Sequence, residues 1–445
     1  MSYVLVVKIG GSILSDHEVY GKIADKLSSL DADRVVVVTS ALRNVTNELL
    51  AGMERRDQIT EIVSSIYDRH LNVLSKIADG VNFERAFQQL SKLSDELFRV
   101  AWSVKVLDEI TPRVRDYVLS FGERMSVVLL DAALRTYGLI TSGLPEPVMV
   151  TDENFGEANV IEFDTSVKLR ELIGKSDSKV LVVPGFIGVS PSGKLTTVGR
   201  GGSDYTATLV GRFLGAEEVR LVTEVPGIMT GDPKRFPGAK TISRLSLEEA
   251  LELALLGVKR FHPRTFEPMF QTNLRVRVEN LTEPGCTIVE GTCSDYGIKG
   301  VAIIDDAKVL SVESTRMAGK VGSAAAIMSE AKDAQVNLIS FSQPASETTI
   351  QLLVNSDSST KLRERLRTME GKLIKAVHET DASAVSVVGC GLRSREMFKR
   401  VLEVSSGYDV LSVSRGLNRV SVTFVVERSQ GEQLAKELHR VVVSG

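Results

Sequence analysis

The stretch "TTVGRGGSDYTAT" (196–208) decides how the rest of the chain is read. Three glycines, an arginine and an aspartate stand between threonines and an apolar segment with helical spacing, "YTATLVGRFLG" (205–215). Glycine lets a backbone come close to a ligand, and Arg200 can hold a carboxylate or phosphate through paired hydrogen bonds. Asp204 stands where the helix begins. It reads either as an N-cap or as a carboxylate that orients lysines or holds Mg²⁺ beside a polyphosphate.

Working outward, the first 295 residues alternate short β-branched runs with long helical stretches. The runs are "YVLVVKIGG" (3–11), "RVVVVTSA" (34–41), "KVLVVPGF" (179–186), "EVRLVTEV" (218–225) and "LRVRVEN" (274–280). Nearly continuous apolar strands separated by helices predict an α/β fold whose mostly parallel sheet is covered on both faces. In open sheets of this kind ligands sit outside the carboxyl ends of the strands. Residues 46–136 read as mostly helical, an insertion or lid with few breakers before Pro112. Beyond about residue 295 the units shorten and a repeat emerges. "NLISFSQPASETTIQLLV" (337–354) aligns without gaps with "DVLSVSRGLNRVSVTFVV" (409–426), Ser340 over Ser412 and Val354 over Val426. Each copy follows a helix-like segment, so two small α+β modules are expected at a 72-residue offset.

Two further loops share the logic of the opening stretch. In "VVKIGGS" (6–12), Lys8 lies at the end of a buried strand, where a lysine is costly without an anionic partner. Gly10, Gly11 and Ser12 then offer backbone amides in a tight turn ahead of an expected helix start, a phosphate-binding nest. In "TEVPGIMTGDPK" (223–234), Thr223 ends a strand and Asp232 and Lys234 lie beyond a turn. This segment reads equally as a nucleotide grip or as a plain Pro/Gly loop. "GVSPSGKL" (188–195) nearly matches a P-loop, but Leu195 replaces the magnesium-ligating hydroxyl and strand-like residues follow. A hairpin turn is expected there.

Composition sets the outer limits. A chain of 445 residues predicts two or three domains. A formal net charge of −3 argues against nucleic acid as a partner. No run of eighteen apolar residues suggests a membrane span, and the early strand leaves no signal peptide to expect. The three cysteines, Cys286, Cys293 and Cys390, lack metal-ligand spacing and predict a reducing cytoplasm without disulfides.

"VVKIGGS", "SALRNVTN", "FGER", "GFIG", "TTVGRGGSDYTAT", "VTEVPGIMTGDPK" and "EALELALLGVKRFHPR" occur in the order and approximate spacing of the aspartate kinases. The chain resembles that family over essentially its whole length. The resemblance implies an amino-acid kinase fold over 1–295, followed by two ferredoxin-like ACT modules. These would span 308–380 and 381–445, the second completed by a strand near 298–305. It implies ATP-dependent phosphorylation of the L-aspartate side chain, the first step of lysine, threonine and methionine biosynthesis. It also implies feedback by lysine or threonine, and a cytoplasmic homodimer that could pair into tetramers.

Position by position, the resemblance implies Lys8 at the transferring phosphoryl group, Asp204 organising the cationic centre, and Arg200 among the catalytic residues. Ser40, Thr46, Glu123, Phe186, Arg200 and Ser203 would hold aspartate. Lys8, Gly10, Gly11, Ser12, Thr223, Glu224, Met229, Asp232, Lys234 and Lys259 would serve ATP, with Mg²⁺ arriving with the nucleotide and no protein metal site. Met229 stands where the family has an aromatic residue, and Lys234 where Arg is common. Met317, Gly322, Asn337, Ser340 and Gln343 would bind the effector, although a purely structural dimerisation module remains open.

The residue types suit the chemistry. A carboxylate with a pKa of about 4 is already ionised, so it needs no general base; what opposes reaction is anion meeting anion. Lys8, Arg200, Lys259 and glycine amides would offset that repulsion. Glu123 reads as the partner of the substrate ammonium or, alternatively, as a helix-face ion pair with Arg124. His262 is expected to pack or to position the nearby lysine. Two other readings stay open: a kinase for a related acid such as glutamate, and a non-catalytic amino-acid sensor, against which the intact Lys8, Arg200, Asp204 and Lys259 argue. The end of the chain after the second module leaves no room for an appended dehydrogenase.

Overall fold

The computed structural model describes residues 3–255, 261–293 and 297–444, and these divide into two compact units. The first unit comprises 1–228, 241–247 and 261–291; the second comprises 229–240, 248–260 and 292–445.

Every apolar run foreseen in the first unit is a strand. The strands are β1 (Val4–Ile9), β2 (Arg34–Thr39), β3 (Thr141–Gly143), β4 (Met149–Val150), β5 (Val180–Pro184), β6 (Ile187–Val189), β7 (Leu195–Thr197), β8 (Glu218–Thr223), β9 (Arg244–Leu245), β10 (Arg275–Asn280) and β11 (Cys286–Val289). Eight of them form one sheet in the order β3-β5-β2-β1-β8-β10-β11-β9. Its pairings are parallel except between β10 and β11. β4, β6 and β7 make a small second sheet in which β6 and β7 form the expected hairpin, so "GVSPSGKL" is a turn.

The helical region is confirmed, but its role is corrected. Helices Val45–Glu54, Ile59–Ile77, Gly80–Leu107 and Pro112–Thr136 stand between β2 and β3 and share one hydrophobic core with β1, β2 and β5, so they pack as part of that core and not as a separate lid. From Val118 to Leu134 every residue of the last helix is buried. A helix buried around its whole circumference is part of the core, even though it carries Glu123, Arg124 and Asp131. The chain also leaves the "KIGGS" turn without entering a helix, which starts only at Glu18.

The second unit carries β12 (Gly300–Glu313), β13 (Ser340–Ser342), β14 (Thr349–Asn355), β15 (Ala376–Val388), β16 (Val410–Arg415) and β17 (Ser421–Glu427) in one sheet, ordered β13-β14-β12-β15-β17-β16. The sequence repeat is a structural repeat to the residue. Ser340 pairs with Leu353 and Phe341 with Leu352; 72 residues later Ser412 pairs with Val425 and Val413 with Phe424. The long strands β12 and β15 lie side by side at the centre, and Gly300–Ile304 pairs with Ala384–Val388. The sheet supports separate apolar clusters around Leu310, Ile327 and Leu362 and around Val385, Phe424 and Leu434.

One expectation from the cysteines is overturned. Cys293 and Cys390, 97 positions apart in the sequence, form a disulfide with Cα atoms 5.9 Å apart, and Cys286 is the free thiol. Neither cysteine belongs to a recognisable spacing pattern, because the pairing of β12 with β15 brings them together. Among the described residues no helix is long and apolar enough to cross a membrane.

Candidate active site

The site lies in the first unit at the carboxyl end of β1. That strand is hydrogen-bonded on both sides, with Lys8 beside Val38 of β2 and Leu221 of β8. Such a position buries the stem of Lys8, and its ammonium reaches Asp204 at 2.6 Å. Asp204 is therefore no N-cap. Gly201 occupies that position with φ 74°, and Asp204 sits in the first turn of helix Gly202–Leu214 with its carboxylate turned to the lysine.

The glycines have steric causes. A Cβ on Gly11 would come within 2.7 Å of the Ala41 carbonyl oxygen, and one on Gly185 within 2.7 Å of the Ser203 Cβ. Gly10 donates its N–H to Val222 at 3.2 Å, which ties the glycine turn to the end of β8. A Cβ on Gly201 would meet His262 at 2.5 Å, so His262 packs against the loop backbone, and burial lowers its pKa below that of ordinary imidazole.

Around this pair opens a cleft of about 990 Å³. It is lined by Lys8, Gly11, Ser12, Ser40, Thr46, Glu123, Phe186, Arg200, Ser203 and Asp204, so ten of the residues singled out in the sequence share one cavity. Glu123 is buried, and Oε1 accepts the Ala41 N–H at 3.2 Å while Oε2 has no hydrogen-bond partner. Burial pushes its carboxyl up to about 8, partly offset by the Ala41 N–H and by the charge of Lys8. The ion pair with Arg124 does not form. Arg124 instead meets Glu146 at 3.2 Å and Glu96 at 3.7 Å, and lies 4.8 Å over the Phe121 ring. Phe186 adopts φ 63°, the left-handed region a non-glycine residue rarely enters, and its N–H donates to Thr206.

A sequence model of the amino acid kinase family matches residues 4–280. The chain belongs to the amino acid kinase family. This amino acid kinase is 28% identical to the chloroplastic aspartokinase 2 of Arabidopsis thaliana, over 98% of this chain and 83% of that protein. It is also similar to solved structures of E. coli aspartokinase III. The complex with aspartate and ADP (R-state) superposes with a TM-score of 0.84 at 25% identity, covering 99% of each chain. The complex with lysine and aspartate (T-state) gives 0.80, also at 25% identity and 99% of each chain.

Not all the residues singled out converge on the cleft of this kinase. Thr223 ends β8 beside the Gly10 turn and Glu224 follows it, both outside the cleft lining. Met229, Asp232 and Lys234 belong to the second unit, and Lys259 lies outside the described residues. In the second unit Gly322 caps helix Ser323–Asp333 with φ 87°, and Ser340 starts the edge strand β13. Asn337 and Gln343 are exposed. Met317 is only 1% exposed and packs in the module core, so its side chain is not free to meet a ligand.

The cleft also contains residues the sequence did not single out: Arg43, Arg115 and Asp116. Asp116 had a readable signal. It lies seven residues before Glu123, two helical turns away on the same face, and it is a charged residue near the start of the long apolar run of its helix.

Proposed function

We propose that this amino acid kinase is an aspartate kinase, transferring the γ-phosphoryl group of ATP to the side-chain carboxylate of L-aspartate to give 4-phospho-L-aspartate. The observation that carries the reading is the cleft that gathers Lys8, Arg200, Asp204 and Glu123 at the end of the central strand of this fold. Similarity over nearly the full length to aspartokinases, one of them solved with aspartate and ADP, supports the choice of acceptor.

In this reading Arg200 receives the α-carboxylate and Glu123 the ammonium, while Lys8 neutralises charge on the phosphoryl group in flight. Aspartate attacks as the carboxylate, so the chain supplies position and charge without a base. The Gly11 and Gly202 turns, which line the cleft, leave room for amides to approach phosphate. Ser40, Thr46, Phe186 and Ser203 complete the acceptor pocket. Gly10, Ser12, Thr223 and Glu224 serve the nucleotide.

Among the described residues no group of three or more His, Cys, Asp or Glu is arranged to hold a metal ion. One carboxylate facing the site, Asp204, suits Mg²⁺ carried by the nucleotide phosphates, because that ion is commonly held by one or two carboxylates plus substrate. When bound it supplies charge neutralisation at the phosphates.

The repeated modules of the second unit are regulatory in this reading. Lysine or threonine is bound near Gly322, Asn337, Ser340 and Gln343, in a homodimer or a pair of dimers, and favours a less active arrangement of the kinase. The E. coli relative solved with lysine supports that choice. The enzyme would open the biosynthesis of lysine, threonine and methionine in the cytoplasm.

The deciding experiment incubates the purified chain with MgATP and aspartate or glutamate and traps the acyl phosphate with hydroxylamine. Hydroxamate formed with aspartate is expected. Preference for glutamate would overturn the acceptor, and no hydroxamate with either would leave the sensor reading. Titrating lysine, threonine and their mixture into the same assay tests the regulatory part.

A further inference from the structure

Asp116 is wholly buried, yet every hydrogen bond of its carboxylate leaves its own helix. Its Oδ2 accepts the N–H of Gly156 and the N–H of Thr197, each at 2.8 Å. Its Oδ1 accepts the Thr197 hydroxyl at 2.9 Å. Thr197 is the last residue of β7 and stands three residues before Arg200, while Gly156 lies in a loop whose members Phe155 and Glu157 line the same cleft. The two loops also hold each other. Ala158 donates to the Thr197 carbonyl at 2.9 Å, and a Cβ on Gly199 would come within 3.3 Å of the Gly156 carbonyl oxygen.

One carboxylate therefore joins three chain segments. Its own helix, Pro112–Thr136, carries Glu123 on the same face two turns further on. The segments it grips carry Arg200 and the Phe155–Glu157 wall. Among the described residues no other side chain of the cleft bonds from the helix to both loops.

We propose that Asp116 is a positioning residue: it keeps the helix bearing Glu123 in register with the loop bearing Arg200, so the two charged poles of the acceptor site stay matched in spacing. The inference rests on the acceptor site as assigned above. Asp116 acts through hydrogen bonds and not through its charge, and that makes a sharp distinction. An asparagine can place its oxygen where Oδ2 lies and accept both N–H groups. Its NH₂ then faces the Thr197 hydroxyl, which can turn and accept, since a hydroxyl serves either way.

The test measures steady-state kinetics for Asp116→Ala, Asp116→Asn and Thr197→Val, with far-UV circular dichroism as the check on folding. Asp116→Ala is expected to raise KM for aspartate about ten- to hundredfold with KM for ATP within about twofold. Asp116→Asn should recover most of that loss, and Thr197→Val should fall between. Should Asp116→Ala fail to fold, the contrast of Asn with Val carries the test. If Asp116→Asn loses kcat as severely as a truncation, the charge is what matters and the inference is wrong. It is equally wrong if Thr197→Val and the foldable Asp116 variants leave KM for aspartate unchanged, or raise both KM values alike. A parent protein that does not phosphorylate aspartate defeats the acceptor assignment instead, and is recognised before any variant is compared.

Discussion

At the scale of single residues the site is organised by two ionisable side chains with opposite fates. Lys8 meets Asp204 at 2.6 Å. Lys8→Ala should lower kcat by about a thousandfold or more while circular dichroism remains that of the parent, since the ammonium acts on developing charge. Near-normal turnover would remove Lys8 from its role. Glu123 Oε2 has no hydrogen-bond partner, and burial pushes the carboxyl up to about 8. Its folded value lies above the unfolded one. The folded state therefore carries the extra proton between roughly pH 4.5 and 8, and stability from this group falls as pH rises through that window. Glu123→Gln should flatten the decline in melting temperature between pH 6 and 9, measured without ligand. Aspartate binding, which needs the carboxylate, should tighten through about pH 8 in the parent and lose that dependence in the variant. Calorimetric titration in buffers of different ionisation enthalpy would show the released proton.

At the scale of elements, close approach governs. The glycine turn after β1 fits because Gly11 lets the loop after β2 come within contact of its backbone. Gly11→Ala forces its Cβ against a carbonyl oxygen, which cannot swing away as a side chain would. A loss of about 1–3 kcal/mol in denaturant unfolding is expected, with a larger fractional loss of turnover. The strands, the helical region and the β6–β7 hairpin were legible in the sequence because period and turn chemistry are local. The burial of helix Pro112–Thr136 was legible only as apolarity, which cannot say whether a helix caps a site or fills a core. The reach of Asp116 to Gly156 and Thr197 was not legible, since its partners lie 40 and 81 positions away.

At the scale of the whole molecule, the repeat and the disulfide concern the second unit. The hairpins at its two edges keep one register across a 72-residue offset, as two copies of one module should. The Cys293–Cys390 bond closes a loop of 97 residues that spans the first copy. Constraining an unfolded loop of about that length is worth up to ~4–5 kcal/mol in the chain-entropy account. Reduction, or Cys390→Ser, is therefore expected to lower the calorimetric transition of this unit by several degrees. An unchanged transition under reductant would show that the bond adds no stability.

The sequence by itself determined the order of strands and helices, the glycine-bearing loops at strand ends, the duplicated modules and the residue types that gather in the cleft. Those features follow from local periodicity and turn preference, which each segment carries within itself. Only the tertiary structure decided that Asp204 pairs with Lys8, that one oxygen of Glu123 is left without a hydrogen-bond partner, that Asp116 bridges two loops and that two distant cysteines meet. Each of these depends on distance and burial, and both arise only when segments far apart in the chain exclude water together.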